Sequence, residues 1–414
     1  MTTSTTGGTP RTTAAAQPDT RPLANVRVLD IASFMAAPMA AMWLADFGAQ
    51  VVKVEHPRGD MMRSWGSVKD GTPLFWKMVG RNKRSVTIDL HHPDGQELLR
   101  RMAAKADVVV ENFRPGTLAG WGLDYERLSA INPRLVMLSV SGFGQTGPYS
   151  PRAGFGTLAE AMSGYAFSTG DPDGPPTLPS FGLADSVTGL CGAYAVLLAL
   201  HERDTVSNRG QSIDLAIYEP MMVMMGHQFV EYDQLGIVAQ RLGSRLPFAA
   251  PRNVFLTRDK RWVAMSCSAQ SVFERACSAI GHPELVHDAR FTDNRARTEN
   301  YKALDDIFGE WIAARPAEEV LTTLNDAGGA AAPIYDVADV FADPHFQFRE
   351  NLASVADEDL GVVRMQNVAP KLSRTPGRID WTGPALGAHT AEVLDEWIGM
   401  GEDEVSTLRA QGVI

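Results

Sequence analysis

Val26–Ile31 (VRVLDI), Ser33–Pro38 (SFMAAP), an apolar run to Phe47-Gly48, and Ala49–Glu55 (AQVVKVE) follow one another without a break. The two outer pieces are short, apolar and rich in β-branched residues, which is strand chemistry. The run between them holds helix-forming Ala, Met and Leu, and Gly48 stands where a helix usually stops. Strand, helix and strand within thirty residues make a βαβ unit, so the chain is predicted to be an α/β protein with a parallel sheet. The glycine pattern GxGxxG is missing between the first strand and the helix. A dinucleotide site of the usual kind is therefore not supported. Glu55, at a strand end, reads either as a ribose-binding acid or as a solvated terminus.

Downstream, Arg81-Asn82-Lys83-Arg84-Ser85 precedes a strand predicted over Val86–Leu90. Three cations in that position suit a phosphate, and a solvated loop fits them equally. A helix is predicted over Asp94–Ala106 from the stripe Leu98, Leu99, Met102. Asp107–Glu111 reads as a buried strand, and Asn112-Phe113-Arg114-Pro115-Gly116 lies just past its carboxyl end, where α/β sheets bind ligands. Leu135–Val140 is another strand. The loop after it, Ser141–Pro148 (SGFGQTGP), either admits a ligand to its backbone or simply connects.

Asp185 separates the short apolar run Phe181–Ala184 from a helix predicted over Ser186–Arg203. That helix is apolar nearly all round, so burial is expected. An Asp at its start reads as a cap, accepting free N–H groups. The same position offers a nucleophile those N–H groups and the positive end of the helix dipole. Further on, Gly210–Asp214 starts a strand-to-helix segment. Composition changes near residue 232. Asp259–Met265 (turn and strand) and helices at Gln270–Ile280, Tyr301–Ala313 and Pro316–Asn325 suggest a small α+β domain over 235–330. Two surface helices are expected at Thr390–Ile398 and Asp403–Gln411.

With 414 residues the chain suits two domains. Hydrophobic content of 44% and charged content of 21% are ordinary for a soluble globular enzyme. A net charge of −11 argues against non-specific binding to nucleic acid or an acidic membrane, though a local basic pocket stays compatible with it. Cys191, Cys267 and Cys277 lack metal spacing and make no disulfide frame, so no metal is expected and a reducing cytoplasm is the simple reading. No apolar run, Tyr218–Met225 included, is expected to span a bilayer. Residues 1–21, rich in Thr, Ala and Pro, read as a disordered tail.

Several segments, in order, resemble the class III CoA-transferase (CaiB/BaiF) family, whose relatives include formyl-CoA transferase and α-methylacyl-CoA racemase. They are VRVLDIASFMAAP, WLADFGAQVVKVEHPRGD, RNKRSVTIDL, ADVVVENFRPG, SVSGFGQTGP, PSFGLADSVTG, GQSIDLAIYE, LGAHTAEVL and the final QGVI. The resemblance runs over about residues 22–414. It implies a large Rossmann-like CoA-binding domain built from 22–230 and 335–414, a small domain between, and an interlocked dimer, here a homodimer. It also implies an acyl-CoA donor, a carboxylic acid acceptor, and coenzyme A as part of the substrate rather than a resident cofactor.

By the same resemblance Asp185 is the nucleophile. Its carboxylate attacks the acyl-CoA carbonyl, giving a mixed anhydride and then an aspartyl-CoA thioester, which conserves the thioester's energy. Met35 and Ala36 are placed near the thiol, and His56, Ile88 and His91 near the nucleotide. Asn112, Phe113 and Arg114 fall beside the pantetheine or phosphates, and Arg152 near the active loop. Three departures stand out. Met35 occupies the position of a glutamine in formyl-CoA transferase and cannot donate a hydrogen bond. Phe155 and Gly156 occupy the positions of the His-Asp pair of the racemases, so two-base proton transfer at the α-carbon lacks a partner. Most transferases also have an acid where Gly156 stands. The alternatives to CoA transfer are an acyl-CoA racemase or isomerase, and a non-catalytic acyl-CoA-binding subunit of a heterodimer.

Overall fold

A computed structural model describes residues 19–414. Its centre is a six-stranded sheet of β1 (Arg27–Asp30), β2 (Gln50–Glu55), β3 (Lys83–Thr87), β4 (Val108–Glu111), β5 (Val136–Ser141) and β6 (Ser212–Ala216). Their order is β3-β2-β1-β4-β5-β6 and every pairing is parallel. That order reverses direction at β1 and β4, the arrangement that opens a crevice beyond their carboxyl ends. Helix α1 (Ala36–Asp46) joins β1 to β2, as the apolar pattern implies, and α2 (Pro93–Ala103) joins β3 to β4. One apolar core, with Leu29, Val52, Val86, Leu99 and Val109, lies on one face of the sheet. A second, with Val28, Ala40, Leu138 and Val196, lies on the other.

The cations before β3 do not wait for a phosphate. The strand begins at Lys83, three residues earlier than expected, and draws them into the fold. Lys83 is fully buried; its ammonium donates to Asp30 Oδ2 at 2.8 Å and to Pro38 O at 2.6 Å. Arg81 makes a buried two-pronged pair with Asp46, at 3.0 and 2.6 Å. Arg84 pairs with Glu392 and Glu396. Glu55 is likewise neither a ribose ligand nor a solvated end: it is buried against Arg63 at 2.6 Å and Ser85 Oγ at 2.7 Å. Lys83, Arg81 and Glu55, read from sequence as ligand-binding or solvated, are instead paired inside, the usual condition for burying charges.

Residues 252–333 carry their own core. Strands β7 (Arg252–Leu256), β8 (Trp262–Ser266) and β9 (Ala331–Pro333) form a separate antiparallel sheet. Phe273, Phe308 and Leu324 pack within this unit. Beyond it the chain returns to the first sheet. Helices α6 (Thr390–Ile398) and α7 (Glu402–Ala410) are not purely surface elements, because Val393, Leu394, Trp397 and Val405 fill the first core. His389 and Thr390 also hold the main-chain N–H groups of Ser85 and Thr87 on the outer edge of β3. Most of the expected tail, residues 1–18, lies outside the described residues. Its last part is packed: Arg21 pairs with Asp19 and, at 2.9 Å, with Asp380.

Helix α4 (Leu183–Glu202) corrects two further expectations. With the turn that continues it, Leu183–Ser207 is long and apolar enough to cross a bilayer by length and composition. It packs on α1 within the second core, as the central helix of a folded domain does. Nor is it buried all round, since Leu190, Tyr194, Leu197 and Leu198 are exposed.

Candidate active site

The carboxyl ends of β1 and β4 are tied together just below the start of α4. Asn112 Oδ1 accepts the Ser33 N–H at 2.8 Å and its amide donates to Ser33 O at 2.6 Å. These two bonds fix the loop that carries Met35 and Ala36. Phe34, in the same loop, has a left-handed backbone with φ 71°, held by a bond from its N–H to Asp60 Oδ1 at 3.1 Å. Asp60 is in turn paired with buried Lys53 at 3.0 Å. The loop is therefore anchored by a buried ion pair. It turns the Phe34 ring onto Trp65, with centroids 4.3 Å apart, and towards Phe155 at 6.5 Å. Aromatic side chains thus form one wall of the crevice.

Asp185 sits in the first turn of α4, half-buried, beside that wall. It is not the cap. Gly182 takes that position, and no side chain caps the helix. Two glycines make room for the carboxylate. A β-carbon on Gly156 would lie 2.6 Å from Asp185 Oδ2. One on Gly182 would lie 2.9 Å from Met35 Sδ and 3.3 Å from the same oxygen. Met35 and Asp185 thus flank Gly182 from two sides, which brings two of the residues singled out from sequence to one place. Burial first, and the nearby Glu160 carboxylate second, push Asp185 up to about 6. No ion pair involves Asp185 among the described residues.

Glu160 was not visible as a site residue from sequence. It lies in α3 (Gly156–Met162), is buried, and accepts the Ala184 N–H at 3.1 Å. An acid in a short helix reads as surface, and only its spacing of one turn from Gly156 could have pointed to the site. The other N–H groups at the start of α4 are largely spoken for. Leu183 donates to Phe181 O at 2.8 Å and Ser186 to Gly182 O at 3.0 Å. The Asp185 N–H has no acceptor among the described residues, which makes it the donor of this turn that a developing oxyanion can use.

A second group lies just past the carboxyl ends of β2, β3 and β4. His91 stacks edge-on to Trp121 at 5.1 Å, Trp121 to Phe113 at 5.2 Å, and His56 faces His91 at 6.1 Å. Asp89 lies between the imidazoles, 3.0 Å from His91 Nδ1 and 3.7 Å from His56 Nε2. These three residues offer ligand atoms within 4.8 Å of one another, a donor set that suits a transition metal as well as an ion pair. Trp121 joins His56, His91 and Phe113 here without having been singled out. Phe113 is held by its N–H to Glu111 Oε2 at 2.7 Å, and burial pushes Glu111 up to about 7. Ile88 is different: its side chain is in the core and its N–H is bonded to Glu55 O at 2.8 Å. Arg114 is exposed. Arg152 stands apart on the loop before α3, its guanidinium 3.6 Å over the Tyr149 ring.

An unpaired carboxylate on a helix N-terminus, opened by glycines and facing an apolar wall, is the arrangement a carboxylate nucleophile needs. Residues 23–390 match the family described as CoA-transferase family III. The chain belongs to that family. It is a CoA-transferase, and CoA thioesters are its substrates. It is 45% identical over 396 residues to the succinyl-CoA–D-citramalate CoA-transferase of Chloroflexus aurantiacus, covering 95% of this chain and 98% of that one. It is 44% identical over 400 residues to the beta subunit of succinyl-CoA–L-malate CoA-transferase from the same organism, covering 95% and 98%. Among solved structures, a CAIB/BAIF family protein from Brucella suis superposes with a TM-score of 0.81 at 35% identity, over 91% of this chain and 99% of the other.

Proposed function

We propose that this CoA-transferase moves CoA from a succinyl-CoA-type donor to a short dicarboxylic acid, with Asp185 as the covalent nucleophile. The observation that carries the mechanism is the unpaired Asp185 carboxylate in the first turn of α4, against which the Gly156 backbone is pressed. One Asp185 oxygen attacks the thioester carbonyl carbon and the C–S bond breaks, leaving CoA thiolate. The thiolate attacks Asp185 Cγ, the anhydride C–O bond breaks, and the first acid leaves as a carboxylate. The acceptor carboxylate then attacks the aspartyl-CoA thioester and the sequence runs in reverse. The Asp185 N–H is the main-chain donor available to the oxyanions, and Met35 with the aromatic wall lines the apolar side.

The choice of dicarboxylic acids leans on the names of three relatives, which include a human succinyl-CoA:glutarate CoA-transferase at 30% identity over 396 residues. In our reading His56, His91, Asn112, Phe113 and Arg114 lie along the CoA, with Trp121 added to them. We also propose that the protein works in the cytoplasm, in keeping with its free Cys191, Cys267 and Cys277, and that the working unit is a homodimer, because α4 exposes Leu190, Tyr194, Leu197 and Leu198 on one continuous helix. An unpartnered apolar stripe of that length marks a protein interface.

The deciding experiment is incubation with succinyl-CoA followed by hydroxylamine and peptide mass mapping. A hydroxamate on Asp185, absent from Asp185→Asn, is the expected result. Full turnover by Asp185→Asn would sink the mechanism.

A further inference from the structure

We infer that Glu160 is a positioning residue for CoA transfer: its buried carboxylate, one helical turn beyond Gly156, favours every enzyme form in which Asp185 is acylated. This role presupposes Asp185 as the nucleophile proposed above.

Residues 156 and 160 share one face of α3, because four residues complete about one helical turn. At Gly156 that face presses a bare α-carbon onto the Asp185 carboxylate. At Glu160 it delivers a carboxylate to the start of α4, where Oε1 accepts the N–H of Ala184, the residue next to Asp185. Two acids therefore flank the same helical turn, one half-open to the crevice and one 4% exposed. Neither forms an ion pair among the described residues. The elements packed around them add no cation. Helix α1 and the loop before it contribute Met35 and Met39. Helix α5 (Tyr218–Met224), which packs on both α3 and α4, contributes another acid, Glu219, whose carboxylate accepts the Ala216 N–H at 3.0 Å.

An uncompensated pair of carboxylates in a desolvated place repels itself. Acylation of Asp185 removes one of the two charges. Formation of the aspartyl-CoA thioester makes the Cγ–S bond, breaks the anhydride C–O bond, and sends the negative charge into water on the departing acid. The equilibrium between free enzyme with acyl-CoA and aspartyl-CoA enzyme with free acid is thereby drawn towards the covalent form. The second half-reaction draws on the same energy in reverse, so neither acyl-CoA gains an advantage over the other. With Asp185 placed as it is here, a β-carbon at position 156 would stand 2.6 Å from its Oδ2, so an acid there requires the nucleophile to shift; at position 160 the acid reaches the same helical turn through the Ala184 N–H and leaves Asp185 in place.

Glu160→Gln keeps the shape and the acceptor for Ala184 but removes the charge. Wild type and E160Q are incubated with succinyl-CoA at equal free succinate, quenched, and their CoA adduct measured by intact mass, alongside the pH profile of kcat/KM. Adduct occupancy is expected to fall roughly tenfold, the acid limb to move down by roughly one pH unit, and KM for succinyl-CoA to stay put. A purely structural role would leave the limb unmoved. Equal occupancy with an unmoved limb overturns the role of Glu160 and leaves the Asp185 mechanism standing. Absence of any adduct in wild type overturns both. If E160Q does not fold, carboxyl carbon NMR of the wild type decides. The Asp185 carboxyl is expected to titrate near 6, and an Asp185 midpoint at 3.8 overturns the proposal.

Discussion

The α-carbon of Gly156 and the carboxylate of Asp185 are in such close contact that a β-carbon between them would stand 2.6 Å from Oδ2. Backbone conformation does not demand glycine there, as its φ is not positive. The requirement is space. Gly156→Ala is expected to push the nucleophile off its position, lowering kcat by roughly a hundredfold while costing stability only about 1–3 kcal/mol. Steady-state kinetics and a urea melt on the same preparation check both halves. Wild-type kcat in G156A would show that Asp185 can work from a displaced rotamer.

The pH dependence follows from Asp185 being pushed up to about 6 by burial and by Glu160. Attack requires the anion, so kcat/KM is expected to rise with pH to a plateau, with its midpoint near 6. Stability runs the other way. A carboxyl whose folded pKa lies above its unfolded value of 3.8 costs the native state stability as pH rises from 3.8 through about 6. Asp185→Asn removes that cost. It is expected to be more stable than wild type by roughly 1–2 kcal/mol at pH 8, after allowing for the solvent-facing side of the group. The difference should vanish below pH 4 in denaturant melts.

Lys83 tests the cations before β3. Its ammonium is fully buried on Asp30 and Pro38 O, so Lys83→Met leaves Asp30 with a partner lost. A loss of roughly 3–5 kcal/mol in stability is expected, with KM for acyl-CoA unchanged in the folded fraction. A large rise in KM without destabilisation would return this segment to phosphate binding.

That case also shows where sequence reading stops. The β1-α1-β2 unit was legible because apolar spacing and Gly48 both depend on local chain geometry. The burial of Lys83, Arg81 and Glu55 was not, because it depends on partners at Asp30, Asp46 and Arg63 that the fold alone brings near. The segments around Asp185 drew attention to it, whereas nothing in the sequence set its neighbour Glu160 apart. The exposure of α4 was missed for a related reason: a helix apolar all round reads the same whether its second face meets its own core or another chain.

The aromatic wall gives a narrower expectation. Trp65 is half-exposed and its packing on Phe34 at 4.3 Å shapes the side of the crevice facing Met35. Trp65→Ala is expected to reduce kcat/KM about fivefold, or roughly 1 kcal/mol, with the loss in KM. A loss confined to kcat would instead place Trp65 in the chemistry.

The apolar stripe of α4 predicts assembly. Leu198→Glu is expected to convert a dimer to a monomer in light scattering, at little cost to the fold since Leu198 is exposed. A wild type that runs as a monomer at micromolar concentration would refute the homodimer.

The clasp on the outer edge of β3 has a consequence for synthesis. Ser85 finds His389 across 304 residues of chain, and Asn82 accepts from Trp381 across 299. Until those residues leave the ribosome, β3 is a bare sheet edge, the kind of surface on which nascent chains pair wrongly. The 252–333 unit has its own sheet and core and needs no such wait. The middle of the molecule can therefore be finished while its beginning is still open.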